Sequence, residues 1–121
     1  MQTSLTVDDV CDLLQRQAQI VLLDVREPAE WAEARIDAAT LIPISKLVED
    51  LPKLGLPKDQ QVICICRSGR RSGLAAEFLR SQGYQAANME GGLRQWFIHK
   101  HTEGAIDDKE FKRVAAFLGP Q

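Results

Sequence analysis

Val62-Ile63-Cys64-Ile65, followed at once by Cys66-Arg67-Ser68-Gly69-Arg70-Arg71-Ser72, is the stretch from which the rest of the chain can be read. The first four residues form a short, continuous apolar run, which reads as a strand buried on both faces of a parallel sheet. Beyond the turn, Ser72 to Gln82 carries Leu74, Ala75, Phe78 and Leu79 at helical spacing and stops at Gly83, which predicts a helix. Cys66 thus falls between the carboxyl end of a strand and the amino end of a helix. Unpaired main-chain N–H groups and the positive end of the helix dipole meet there, and both favour negative charge. Arg67, Arg70 and Arg71 add to that field. Thiols ionise more readily at helix amino termini beside basic residues, so the stretch predicts an anion cradle with a reactive Cys66 thiolate at its mouth.

Elements on either side alternate. Thr6 with Asp9 resembles a helix-capping pair, and Val7, Val10, Leu13 and Leu14 supply an apolar face for a first helix through about Gln17. Ile20 to Leu23 reads as a strand. Pro28 opens a short helix through about Ala34, and Thr40 to Ile42 forms a small strand that Pro43 ends. Ser45 is expected to cap a helix bearing Leu47, Val48 and Leu51 and interrupted by Pro52. Gly55 to Gln60 reads as a loop, Gln85 to Met89 as a strand, and Gly91-Gly92 as a turn before a short helix around Trp96. Short connections between alternating strands and helices imply an α/β fold: an open, mostly parallel sheet of about five strands with helices on both faces. Ligand sites of such folds lie beyond the carboxyl ends of the strands, where Cys66 sits. The expected division is a main domain over residues 1–98 and an extension over residues 99–121. Within the extension, Ile106 to Leu118 reads as an amphipathic helix, with Phe111, Val114 and Leu118 on the face that docks on the same domain.

Composition narrows the function classes. At 121 residues and 45% hydrophobic content, the chain suits one globular domain with a substantial core. A formal net charge of -2 gives no general reason to expect nucleic acid or anionic membrane as partner. Three cysteines and two histidines follow no disulfide or zinc spacing, which favours reduced thiols in a cytoplasmic setting and implies no metal or other cofactor. No apolar stretch approaches the roughly 20 residues needed to cross a bilayer. Cys64, within the strand, reads as core, although its position two residues from Cys66 would let it trap that thiol as a disulfide under oxidation. Cys11 reads as inert, and Trp31 and Trp96 as core or rim. His99 and His101 lie close together in a polar segment that does not suggest a catalytic triad.

The chain resembles the single-domain rhodaneses, a family of sulfurtransferases. The resemblance runs over roughly Leu5 to Trp96 and is carried by Asp24-Val25-Arg26-Glu27 with Glu30-Trp31, by Ile42-Pro43, by the Cys66 loop, and by Gly91-Gly92 with Trp96 four residues on. Its specific part is the loop: four residues separate Cys66 from Arg71, the length that in this family holds sulfur, whereas related phosphatases and arsenate reductases use a loop one residue longer. The resemblance implies that Cys66 takes sulfane sulfur from a donor such as thiosulfate, becomes a persulfide, and passes the sulfur to cyanide or to a thiol, including a thioredoxin-like protein thiol. It implies that Arg67, Ser68, Gly69, Arg70, Arg71 and Ser72 bind the substrate, with Arg67 and Arg70 steering the donor and Arg71 ordering the loop. Asp24 and Arg26 would brace the site as a structural pair.

The departures from the family pattern cluster in one corner. Ala34-Arg35-Ile36-Asp37-Ala38-Ala39 stands where the family usually has Gly-His-Ile-x-Gly-Ala, and Leu41 replaces a common asparagine. The missing glycines suggest a backbone that avoids positive φ or a rebuilt corner, and Arg35 is expected near the pocket or paired with Glu30 or Glu33. Two other readings stand beside sulfur transfer: a non-catalytic or persulfide-carrying module that docks a partner protein, and a phosphatase or arsenate reductase on the same scaffold, which the loop length disfavours.

Overall fold

The computed structural model describes residues 2–119; Met1, Pro120 and Gln121, at the outer ends of the two expected segments, lie outside it. Five strands form one sheet in the order β1-β5-β4-β2-β3: β1 (Ser4–Leu5), β2 (Ile20–Asp24), β3 (Thr40–Leu41), β4 (Gln61–Ile65) and β5 (Gln85–Met89). Every pairing is parallel. Between them run α1 (Val7–Gln15), α2 (Pro28–Glu33), α3 (Ile44–Leu54), α4 (Arg70–Ser81), α5 (Gly92–Thr102) and α6 (Asp108–Leu118). The expected open parallel α/β sheet is therefore the fold.

Alternation along the strands divides the core in two. Ile63 and Ile65 of β4, Leu22 of β2, and Ala87 and Met89 of β5 meet buried residues of α1, α5 and α6 on one face. Val62, Cys64, Leu23 and Ala86 meet Leu47 and Leu51 of α3 and Ala75, Ala76 and Leu79 of α4 on the other. With both faces covered, a strand can be apolar at every position, which is why Val62 to Ile65 carries no polar residue. The central place of β4 in the sheet puts Cys66 above its middle.

Several expected details are revised. Helix α1 stops at Gln15, since Gln17 turns left-handed at φ 55°. Helix α3 begins at Ile44 without a Ser45 cap, because its start is fixed by the backbone: Ile44 N donates to Val25 O at 3.0 Å and Lys46 N to Pro43 O at 2.8 Å. Pro52 sits within the helix rather than interrupting it, and the carbonyl four residues back belongs to Val48, which faces solvent at 69% exposure and is open to water. Helix α4 begins two residues earlier than expected. Gly69, at φ 99°, takes the left-handed turn that starts it, so Arg70 and Arg71 occupy the first turn. Its buried arc consists of small residues, Ser72, Ala75 and Ala76, with Leu79, and Leu74 is turned outward at 58% exposure. Helix α5 continues to Thr102 and carries His99 and His101, which are expected from sequence in a polar segment. It crosses residue 98 without a break. Nothing between Trp96 and Thr102 disfavours a helix, its basic last turn suits a helix carboxyl end, and Gly104 follows at φ 81°. Helix α6 starts at Asp108, capped by Asp107, and contributes Val114 and Leu118 to the core.

The Gly91-Gly92 pair joins this frame to the Cys66 loop. Leu93 N donates to Cys66 O at 2.8 Å and Arg94 N to Arg67 O at 3.1 Å, so the amino end of α5 grips the first two carbonyls of the loop. Gly92 makes the approach possible: a Cβ there would lie 2.5 Å from Cys66 O and 2.6 Å from Arg67 O, at a φ of 60°. Gly92→Ala combines backbone collision with left-handed strain and is expected to cost on the order of 3 kcal/mol in urea unfolding. Gly104→Ala, where φ is 81° and nothing lies within 4 Å, should lose only about 1 kcal/mol. Equal losses at the two positions would contradict this account.

Candidate active site

Cys66 follows the last residue of β4 and is 1% exposed, so its sulfur lies on the floor of the cradle rather than at the mouth. Three donors converge on Sγ: Gly69 N at 3.1 Å, Ser72 Oγ at 3.2 Å and Ser72 N at 3.4 Å. The loop can aim them inward because Gly69 turns left-handed and because α4 begins at Arg70, which leaves the amides of its first turn without partners inside the helix. Helices usually carry acidic residues in the first turn to complement the dipole; α4 has none there and carries two arginines instead. The atom that these amides face is the cysteine sulfur itself.

Burial alone pushes the Cys66 thiol up, but the Ser72 hydroxyl and the amides of Ser72, Gly69 and Ser68 together outweigh it, and the net shift is downward. Hydrogen bonds, rather than the arginine field expected from sequence, are thus the main lowering causes. Cys64, on the same face of the sheet, has burial without the donors and is pushed up to about 12. Two thiols two residues apart are set in opposite directions by what faces them. Burial likewise pushes Cys11 up, and all three cysteines are free.

The arginines of the loop separate into two kinds. Arg67 and Arg70 are exposed and, among the described residues, pair with no carboxylate. Arg71 is clamped by Glu30 of α2 through two parallel bonds, Nη1 to Oε1 at 2.6 Å and Nη2 to Oε2 at 2.9 Å. The Arg71 guanidinium holds the Glu30 carboxyl down at about 2, so the clamp stays charged across the usual working range. Arg71 thus joins α4 to α2.

Asp24 and Arg26 form the expected pair, and both are fully buried. Arg26 Nε and Nη2 donate to the Asp24 carboxylate at 2.8–3.1 Å. Arg26 also donates to Ala34 O at 2.6 Å and to Glu30 O at 3.3 Å. A guanidinium out of contact with water is tolerated only with its donors occupied, and here they hold α2 at its middle and at its carboxyl end. The pair therefore reaches the loop indirectly, by positioning the helix that carries Glu30.

Among the described residues, Arg35 makes no hydrogen bond to the Cys66 loop and pairs with neither Glu30 nor Glu33. It is exposed, donates to Asp37 Oδ1 and Trp31 O at 3.3 Å each, and lies over the Trp31 ring at 5.4 Å. Glu30 is already taken by Arg71, and Glu33 offers its carbonyl to Arg113 of α6. The corner from Ala34 to Ala39 avoids positive φ, as the missing glycines suggested. Trp96 is buried in the core and Trp31 packs against it. His99 contacts Asp8 and Glu103, and His101 contacts Asp108 and stacks on Phe111. Among the described residues, no three His, Cys, Asp or Glu side chains form a group able to hold a metal, and no helix is long and apolar enough to cross a membrane.

Two residues of the site escaped the sequence reading. Glu30 belongs to the motif that carries the resemblance, but nothing in the sequence marks it as the partner of Arg71. Asn88 was hidden within β5: its Oδ1 accepts from Ser72 Oγ at 2.6 Å and its Nδ2 donates to Gly69 O at 3.0 Å. A signal was present, since asparagine is depleted in strands and β5 is an interior one, flanked by β1 and β4.

The two buried thiols near the loop give a direct check. The rate of alkylation of Cys66 by iodoacetamide, followed against pH by peptide mass analysis, should show an inflection below the roughly 8.5 of free cysteine. Cys64 should remain unmodified in the folded protein over the same range. A Cys66 inflection at or above the free value would contradict the donor geometry.

Comparison with known proteins agrees with this architecture. The family model of the rhodanese-like domain matches residues 6–99. The chain is 37% identical over 81 residues to a protein of Allochromatium vinosum named sulfurtransferase, covering 66% of this chain and 74% of that one. It is 32% identical over 95 residues to the Mycobacterium tuberculosis protein MoeZ, named a probable adenylyltransferase/sulfurtransferase, covering 78% of this chain but only 24% of that longer one. The crystal structure of a rhodanese-like domain protein from Staphylococcus aureus superposes with a TM-score of 0.72 at 31% identity, covering 79% of this chain and 91% of that one. With its five-stranded parallel sheet and its loop of four residues between Cys66 and Arg71, this chain belongs to the rhodanese-like domain family.

Proposed function

We propose that the protein is a sulfurtransferase that carries sulfane sulfur as a persulfide on Cys66, with thiosulfate as a competent donor and cyanide or a thiol as acceptor. The observation that carries this reading is the convergence of Gly69 N, Ser72 N and Ser72 Oγ on a buried sulfur at the end of the central strand. Such donors favour the thiolate, the nucleophilic form. In the first half-reaction the Cys66 thiolate attacks the outer sulfur of thiosulfate. A new S–S bond forms at Sγ, the bond between the two thiosulfate sulfurs breaks, and its electron pair leaves with sulfite. In the second, cyanide or a thiolate attacks the terminal sulfur, and the pair of the persulfide bond returns to Sγ. No separate base is invoked, because the donors that face Sγ themselves favour loss of its proton.

Arg67 and Arg70 are suited to drawing in the dianionic donor, being exposed and without acidic partners at the loop. Arg71 serves differently, holding α4 against α2 through Glu30. The loop length supports sulfur over phosphate: a tetrahedral phosphoryl group needs a wider ring of N–H donors than a single terminal sulfur. The name of the Allochromatium relative lends further support.

A second reading is that the domain receives its sulfur from a partner protein. It is favoured by the MoeZ comparison, in which a region like this chain makes up about a quarter of a longer protein whose name joins two activities.

The test is sulfite release from thiosulfate with cyanide as acceptor, together with the intact mass of the protein after incubation with thiosulfate alone. The wild-type chain should release sulfite and gain one sulfur atom on Cys66, and Cys66→Ser should do neither. Full turnover by Cys66→Ser would overturn the proposal. Poor turnover with thiosulfate, combined with sulfur on Cys66 after incubation with a cysteine desulfurase, would select the second reading. Substituting both Arg67 and Arg70 by alanine should raise KM for thiosulfate about tenfold or more with a smaller change in kcat, and the wild-type KM should rise with salt.

A further inference from the structure

Asn88 bears on the sulfur through two of its donors at once. It stands on β5 in register with Cys64 of β4, half-buried beneath the first turn of α4. Its amide orientation is fixed by chemistry: Gly69 O can only accept, so Nδ2 must face it, which turns Oδ1 toward Ser72. Gly69 gives its N–H to Cys66 Sγ and its carbonyl to Asn88. Ser72 Oγ lies within hydrogen-bond distance of both Asn88 Oδ1, at 2.6 Å, and Cys66 Sγ, at 3.2 Å. A serine hydroxyl has one proton. It cannot serve both acceptors.

We propose that Asn88 is a positioning residue that competes with Cys66 Sγ for the single Ser72 hydroxyl proton, so that the hydroxyl turns to sulfur when Sγ is anionic and back to Asn88 when Sγ is bonded. This inference rests on the reading of Cys66 as the sulfur-carrying nucleophile. A neutral or sulfur-bonded Sγ is a weak acceptor, and Ser72 then donates to Asn88 over the shorter distance. An anionic Sγ is the stronger acceptor, and Ser72 donates to it while Asn88 Oδ1 gives up its only donor among the described residues. In the persulfide the negative charge moves to the terminal sulfur, Sγ becomes a disulfide-like atom, and the Ser72 hydroxyl turns to donate to Asn88 Oδ1 instead. When the acceptor removes the terminal sulfur, charge returns to Sγ and the hydroxyl swings back to meet it. The arc is a rotation of one O–H bond on a residue that is completely buried, and no proton leaves Ser72. Asn88 meanwhile keeps Gly69 in place through Nδ2, so the Gly69 N–H continues to point at the sulfur in every state.

The test reads the pH profile of Cys66 alkylation, which needs no sulfur donor. Asn88→Asp replaces the amide by a charged acceptor that holds the Ser72 proton more strongly and cannot donate to Gly69 O. The Cys66 inflection should rise by roughly one pH unit, a tenfold gain in proton affinity. In a Ser72→Ala background, where no proton is shared, the same substitution should move the inflection by less than half as much. Equal movement in both backgrounds would mean that the aspartate acts by charge alone and would overturn the proposal. If Asn88→Asp fails to fold, the wild-type protein still decides: the Asn88 Cγ and Nδ2 resonances should shift through a pH titration with the inflection of Cys66, and that shift should largely vanish in Ser72→Ala. A side-chain amide that stays constant while Cys66 titrates would overturn it. Absence of sulfite release or sulfur loading would count against the proposed function but would leave these titrations readable.

Discussion

A sulfur with 1% exposure holds its proton less tightly than an ordinary thiol only if the chain supplies the donors that water would have supplied, and most of the site follows from that requirement. Gly69 must be left-handed to turn its N–H inward, α4 must begin at Arg70 to leave its first amides free, and Ser72 must be buried to offer its hydroxyl as well as its N–H. The sheet places the demand where it can be met, at the carboxyl end of the central strand and the amino end of the following helix.

Around that loop the fold uses two kinds of fastening. On one side, the amino end of α5 holds the carbonyls of Cys66 and Arg67 through main-chain bonds that only glycine at position 92 permits. On the other, the Glu30–Arg71 clamp holds α4 to α2, and the buried Asp24–Arg26 pair holds α2 to β2. Breaking a buried pair by removing one partner typically costs about 3–5 kcal/mol because a charge is stranded. The Asp24–Arg26 pair therefore serves the site by being difficult to disturb, at a distance from the sulfur.

The order and number of elements were legible because the chain is locally consistent: apolar runs where strands are covered on both faces, helical spacing between them, and glycine or proline at most of the breaks. The boundaries that shifted did so for reasons of tertiary contact. Helix α4 could start before Ser72 because Gly69 adopts a conformation that composition does not report, and Leu74 faces outward because the sheet is approached by the smaller Ala75 and Ala76. Cys66 and its loop were readable because their chemistry is contiguous in sequence. Glu30 and Asn88 act across 41 and 16 residues, and pairings of that kind depend on how helices lie against the sheet. Arg35 shows the reverse case: its partners, Asp37 and Trp31, are near neighbours in sequence.

Two of the three bonds to Sγ come from the main chain, and the hydroxyl that makes the third belongs to a buried residue, whereas Arg67, Ser68 and Arg70 point their side chains at solvent. Amide N–H groups are common to every amino acid except proline. Substitutions at positions 67, 68 and 70 therefore change the charge and shape of the entrance while the hydrogen bonds to Sγ at the floor keep their donors. In this architecture the side chains that meet solvent and the groups that hold the sulfur can vary separately, although they share one loop.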